Sequence, residues 1–271
     1  MCTDIFDSHC HSINSHDGHS SVYDICEIAI NRGIKGFSIT DHCEVDLYEG
    51  QYKKSIDQSF RDTELAKEKY KNEIVITSGI ELGQANYNLE LSNEILRKHT
   101  YDFVIASTHG IGNNGDLCKI NYNKMSQNEI YKILEEYFEY YLNMVKKCDF
   151  DVAAHLTYPL RYIEGIYKIK VDLCKFDIII DEIFKVLIER KKALEINTSG
   201  LRQKIKKTFP SSELIIKYRE LGGELITIGS DSHRDIDLAA DFNQTIELLK
   251  NIGFKKYLYY KKREGIEIFF S

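Results

Sequence analysis

Short β-branched or aromatic runs alternate along this chain with longer stretches whose apolar positions recur every three or four residues. The runs occupy residues 5–7, 36–40, 74–80, 103–107, 151–154, 193–196 and 225–229, and their length and composition predict strands. Between them, Ser21 is placed to cap a helix carrying Val22, Ile25, Ile28 and Ala29 on one face, which Gly33 ends. Residues 126–147 present a broader apolar face from Ile130 to Val145, and 172–190, 211–221 and 237–250 repeat the theme. Strands alternating with covering helices read as an α/β fold built on a parallel sheet. The end differs: residues 257–260, 261–265 and 266–270 read as a small hairpin. No linker or repeat divides the chain, so residues 1–271 are expected to form a single domain.

Composition narrows the function classes. With 43% hydrophobic and 29% charged residues and two prolines, the chain is neither collagenous nor a Pro-rich disordered polymer. Forty-two acidic against 36 basic residues give a net charge of −6, which disfavours capture of a long nucleic-acid backbone. No apolar run reaches the ~20 residues that a membrane-spanning helix needs, and the start lacks a secretion signal. A cytoplasmic protein with no membrane partner is expected. Seven scattered cysteines form no C-x-x-C pair, so they read as small apolar fillers, with Cys10 and Cys43 packing against the wall.

The unusual residues stand where the strands end. Nearly every predicted strand runs into a metal-type or acidic side chain: His9 and His11, His42, Glu81, His109, His155, Asn197, then Asp231 and His233. In a closed α/β barrel the C-terminal ends of all strands converge on one rim, so residues far apart in sequence meet there. His9 and His11, two apart on a strand, face the same side. An isolated H-x-H is weak evidence, more often explained by side chains satisfied by backbone groups. The equivalent placement of Glu81, His109, His155, Asp231 and His233 argues for metal instead. Histidine with carboxylate and without cysteine suits zinc, iron or manganese, and a carboxylate can bridge two ions. Clustered ions serve hydrolysis by acidifying a water and clamping the attacking and leaving oxygens, which makes phosphoester hydrolysis the natural candidate.

The segments HSINSHDG, ITDHCE, SGIELG, STHG, AAHLTYP, EINTSGLR and GSDSH occur in an order and spacing that resembles the polymerase-and-histidinol-phosphatase (PHP) family, across residues 7–233. Within it, HLTYPLRY and EINTSGLR look most like the monofunctional phosphatases of histidinol phosphate. The resemblance implies a distorted seven-stranded (β/α) barrel with three divalent ions at its C-terminal rim. By motif, His9, His11, Glu81 and Asp231 would hold the first ion, and Glu81 would bridge to a second held by His109 and His155. Asp17, His42 and His233 would hold the third, with Asp17 preferred over the flanking His16 and His19 on the family's S-x-D-G pattern. Glu81, Asp231 and His233 are the expected catalytic residues, and a hydroxide bridging ions would attack phosphorus.

The implied substrate is a small phosphate ester, L-histidinol phosphate first, cleaved to L-histidinol and phosphate. Arg161 and Arg202, each a few residues past a strand-end motif, are the candidate phosphate clamps, because a guanidinium fork matches a phosphate dianion. Asn197 and Ser199 are candidate pocket residues, Tyr158 and Tyr162 candidate stacking groups, and a metal-bound water, Asp41 or Glu44 a candidate proton donor to the leaving alcohol. His99 is expected to be a solvated or capping side chain. Two other readings compete: a PHP phosphatase or phosphodiesterase acting on another small ester or nucleotide, and a non-catalytic module that binds metal or a partner.

Overall fold

The computed structural model describes residues 4–112 and 115–270. Its strands in chain order are β1 (Phe6–Cys10), β2 (Gly36–Ile39), β3 (His42–Glu44), β4 (Val75–Gly83), β5 (Phe103–Ser107), the short β6 (Gly110–Ile111) and β7 (Gly115–Asp116), β8 (Val152–Ala153), β9 (Ala193–Asn197), β10 (Ile226–Gly229), β11 (Lys256–Lys261) and β12 (Glu264–Phe269). Seven of them form a parallel sheet in the order β1-β2-β4-β5-β8-β9-β10, and β3 continues past β2 along the long β4. The sheet curls until its ends nearly meet. Residues just beyond β1 and β10 make the last link: the His11 N–H donates to the Ser232 carbonyl and the Asp231 N–H to the His9 carbonyl, each at 2.8 Å. The fold is an α/β barrel of seven parallel strands: the alternation predicts the parallel sheet, and the family resemblance implies its closure.

Helices α1 (Val22–Arg32), α2 (Lys53–Lys69), α3 (Leu89–Lys98), α4 (Gln127–Lys147), α5 (Leu160–Ile163), α6 (Asp177–Glu189), α7 (Ser199–Arg202), α8 (Ser212–Glu220) and α9 (Phe242–Ile252) connect the strands. Ser21 caps α1 in a reciprocal box with Asp24, and Gly33 closes it in the left-handed region at φ 63°. Ser126 and Glu129 build the same box on α4. Ser126→Ala removes the acceptor for the Glu129 N–H and is expected to lower stability by about 1 kcal/mol, read as a shift of the denaturation midpoint at unchanged slope. The helix expected over 237–250 begins only at Phe242, because Asp241 turns left-handed at φ 65° after a short 3₁₀ turn at Asp235–Asp237.

Alternation along the strands divides the core. Val104 and Ala106 of β5 pack outward with the helices, whereas Phe103 and Ile105 join Val152, Ala154 and Ala193 inside the barrel. The hairpin of β11 and β12 closes the N-terminal end of the strands. Leu258 and Tyr260 enter that inner cluster, and the Tyr260 ring stacks on Phe103 at 5.4 Å. Arg263 Nε donates to Asp151 at 2.5 Å, and the Lys262 N–H donates to Asp102 at 2.9 Å, pinning the turn beneath β5 and β8. The interior is therefore apolar at its floor, and its polar residues gather at the opposite rim. Among the described residues, no helix is long and apolar enough to cross a membrane.

Candidate metal centre

The loop after β1 is shaped by one buried carboxylate. Asp41 accepts from the Ser12 N–H (2.6 Å), Ser12 Oγ (2.7 Å), Ser15 Oγ (2.7 Å) and Ser59 Oγ (2.5 Å). Four donors leave it no free oxygen for proton transfer, so Asp41 drops out as a candidate acid and is a builder of the loop. Gly18 is needed for the same fold: a Cβ there would stand 1.8 Å from the Ser12 carbonyl oxygen. Of the residues in NSHDGHS, Asp17 is the one whose carboxylate meets His42 Nε2 (3.6 Å) and His233 Nε2 (3.2 Å). His16 is exposed at 3.9 Å from Asp17, and the His19 side chain is exposed.

Hydrogen bonds on the far side of each ring decide what the near side offers. His9 Nδ1 donates to Glu195 Oε1 (2.6 Å), His109 Nδ1 to Glu44 Oε1 (2.8 Å) and His233 Nδ1 to the Asp231 carbonyl (3.0 Å). His11 Nδ1 donates to Ser15 Oγ (3.1 Å), whose own proton is spent on Asp41. In their neutral forms all four rings turn an Nε2 lone pair inward.

These lone pairs face one another and the carboxylates. His9 Nε2 and His11 Nε2 are 3.0 Å apart, Glu81 Oε2 lies 3.4 and 3.5 Å from them, and Asp231 Oδ1 lies 3.9 and 3.4 Å away. The other Glu81 oxygen, Oε1, is 2.9 Å from His155 Nε2 and 3.2 Å from His109 Nε2, which are 3.3 Å from each other. Four ligand atoms at the corners of a tetrahedron about 2.1 Å from a zinc ion would stand about 3.4 Å apart. With the rings neutral, acceptors converging at that spacing are a set built for cations. Glu81, with one oxygen toward each group, is the shared member. His42 adds its Nδ1 to Glu81 Oε2 at 2.8 Å and turns Nε2 toward Asp17.

The electrostatics follow from this crowding. Burial pushes Glu81 and Asp231 up, but the histidines around Glu81, and Arg161 with His11 and His9 beside Asp231, hold both carboxyls well below the usual carboxylate range. Burial, together with the His233 and His42 charges, pushes His11 well down, and burial also lowers His155. Burial favours neutral His9 as well, yet Glu195 and Glu81 outweigh it and raise its pKa well above the usual value. Two of the residues sit in left-handed backbone, His155 at φ 23° and Asp231 at φ 53°. Such a conformation costs about 1–3 kcal/mol and persists where surrounding bonds enforce it. The His155 N–H is held by Glu195 Oε2 at 2.7 Å, and the Asp231 N–H by the His9 carbonyl.

The polar rim opens into a cavity of about 910 Å³ that Asp17, His42, His109, His155, Asp231 and His233 line together with Arg161 and Tyr158. Arg161 lies between the Tyr158 ring (5.2 Å) and the Phe209 ring (5.3 Å) and donates to Asp231 Oδ2 (2.7 Å) and Ser199 Oγ (2.9 Å). Its buried Nε–H has no acceptor among the described residues. Tyr158 packs against His109 and His155, and its hydroxyl meets that of Tyr162 at 2.9 Å.

Asn197 and Ser199 lie behind Asp231 rather than on the cavity wall. Asn197 Oδ1 accepts from Ser199 Oγ at 2.6 Å, and Ser199 Oγ stands 3.2 Å from Asp231 Oδ2. Arg202 is not brought to the cavity: it donates to the Ser230 carbonyl at 2.8 Å and faces Asp237 at 3.7 Å. His99 stands at the C-cap position of α3, as expected, with its side chain 20% exposed. It stacks on Phe60 at 4.4 Å and bonds Asp57 at 2.7 Å, beside a shallow depression without convergent acceptors. Glu195 and Glu44, which orient His9 and His109, went unassigned as ring partners in the sequence. The one available signal for Glu195 was its place two residues before Asn197, on the same face of β9.

Residues 7–199 match the family model described as the PHP domain. The chain is 28% identical over 265 residues to a probable histidinol-phosphatase of Clostridium acetobutylicum, covering 95% of this chain and 98% of the relative. It is 29% identical to a probable histidinol-phosphatase of Thermotoga maritima, covering 93% and 94%. Among solved structures, histidinol phosphate phosphatase from Lactococcus lactis, complexed with Zn, L-histidinol and phosphate, superposes with a TM-score of 0.80 at 26% identity, covering 96% of this chain and 98% of that one.

Proposed function

The chain belongs to the PHP family, and from that premise we propose that it is a metal-dependent phosphomonoesterase acting on L-histidinol phosphate, releasing L-histidinol and phosphate. One observation carries the reading: three overlapping groups of converging acceptors, His9 with His11 and Asp231, His11 with His42 and His233, and His42 with Glu81 and His109, stand beside the half-buried guanidinium of Arg161 at a cavity large enough for a small phosphate ester. The relatives named for this reaction, and the solved relative holding zinc, L-histidinol and phosphate, support the choice of substrate.

On this reading His9, His11, Glu81 and Asp231 hold one ion, Glu81, His109 and His155 a second, and Asp17, His42 and His233 a third, the ions being zinc, iron or manganese. Bound there, the ions would supply an acidified water and positive charge for the phosphate oxygens. The chain's own part is to fix that arrangement. Glu81 sets the spacing of two ions, Asp231 is oriented by Arg161, Ser199 and Asn197, and His233 closes the site toward the cavity. Arg161, packed against two aromatic rings, lines the cavity and would offer its guanidinium to the phosphate. Residues 1–271 would act as a single cytoplasmic PHP domain.

The test is phosphate release by metal-analysed protein from L-histidinol phosphate beside other phosphomonoesters, a nucleotide and a phosphodiester. The expected result is a preference for histidinol phosphate of at least about 10²-fold in kcat/KM, lost on chelation and restored by added ion. A stronger preference for another ester would replace the substrate and keep the hydrolase. Fully metallated protein inactive on every ester would favour a non-catalytic, metal-binding module.

A further inference from the structure

The three acceptor groups at the rim are not equivalent. In the first, His9 is backed by Glu195 at 2.6 Å, and in the second, His109 is backed by Glu44 at 2.8 Å. A carboxylate behind an imidazole fixes the ring and strengthens it as a ligand. The group of Asp17, His42 and His233 has no carboxylate of its own in that position. His233 leans on the neutral Asp231 carbonyl, and His42 leans on Glu81, whose charge the other two groups already share. Glu44, at 3.8 Å from His42, is committed to His109.

Exposure sets Asp17 and His233 apart, but not His42, whose side chain is 9% exposed against 10% for His109 of the second group. The Asp17 and His233 side chains are 46% and 24% exposed, whereas those of His9, His11 and Glu81 are at most 1% exposed. Water and competing ligands reach Asp17 and His233 directly. Glu195 ties the other two groups together, since its Oε1 holds the His9 ring and its Oε2 the strained His155 backbone at 2.7 Å. Gly229 leaves room for this clamp: a Cβ there would stand 2.4 Å from Glu195 Oε1 and 2.5 Å from His9 Cβ.

We infer that two ions are held tightly through Glu195 and Glu44, and that the ion at Asp17, His42 and His233 is exchangeable and leaves first. The inference rests on the three-ion reading above. It is tested by loading the full chain with Zn²⁺, dialysing against chelators of graded strength and measuring zinc per chain by elemental analysis. Wild type is expected to pass through a plateau of two ions. Asp17→Asn should start on that plateau and lose nothing at the first step, while Glu195→Gln, with folding checked by circular dichroism, should release its tight pair at roughly 10–100-fold weaker chelation.

Departure of all three ions in one step, or an ion lost by Asp17→Asn at the first step, overturns the inference and leaves the metal centre intact. So does a folded Glu195→Gln that keeps its pair as wild type does. If Glu195→Gln does not fold, the wild-type and Asp17→Asn titrations decide by themselves. A folded wild type that takes up no zinc overturns the metal centre and the inference together.

Discussion

Glu81→Gln is expected to abolish phosphate release and to strip the protein of more than one ion. The substitution keeps the size of the side chain and removes the charge that both of its oxygens present, Oε2 to His9, His11 and His42 and Oε1 to His109 and His155. A neutral amide has one acceptor oxygen, so at most one ion group keeps its oxygen ligand, and the NH₂ faces lone pairs of the other. The expected loss in kcat/KM is roughly 10³-fold or more, about 4 kcal/mol of barrier. Zinc per chain, measured on the same sample, separates the causes. A fall by one ion shows that the carboxylate serves one group. Unchanged content with lost activity shows that Glu81 acts on the reaction and not on the ions, and the bridging role is then wrong.

The second large effect belongs to Arg161. Arg161→Ala is expected to lower kcat/KM by about 10²–10³-fold while the ion content stays at the wild-type value, the size of loss seen when one preorganised donor to a developing oxyanion is removed. Asp231 Oδ2 then keeps Ser199 and Asn197 as neighbours, which is why the ions are expected to survive. Arg161→Lys should recover little, because an ammonium has neither the fork nor the flat face that fits between Tyr158 and Phe209. Should ion content fall in step with activity, Arg161 acts through its 2.7 Å contact with Asp231, and the phosphate is held by something else.

Much of this was legible along the chain, for a physical reason. Strands alternate sides every residue, so H-x-H at the end of β1 had to present both rings to one side, and a barrel brings all strand ends to one rim. What stayed hidden depended on partners distant in sequence. Glu195 resembles any strand carboxylate until the fold sets it against His9, 186 residues away. Arg202 follows a strand-end motif as Arg161 does, but the short α7 turns its guanidinium to the Ser230 carbonyl instead of the cavity. The helix α2 was missed because its buried stripe is Ile56, Ser59, Thr63 and Ala66, two of them hydroxyl residues with little apolar signal. Ser59 is on that stripe because its hydroxyl serves Asp41, so the feature that blurred the helix is part of what shapes the loop bearing Asp17.

The hairpin beneath the barrel has a consequence for how the protein is made. A ribosome delivers the chain from its amino end, so β1 through β10 emerge before the residues that form their floor. Until Lys256–Phe269 follow, Phe103, Ile105 and Val152 line an open-ended tube, and the Phe6 N–H waits for the Tyr257 hydroxyl that it meets at 2.8 Å, 251 residues later. The nascent barrel therefore exposes its apolar floor from the emergence of β10 until that of β12, and that interval is when a chaperone has most to offer.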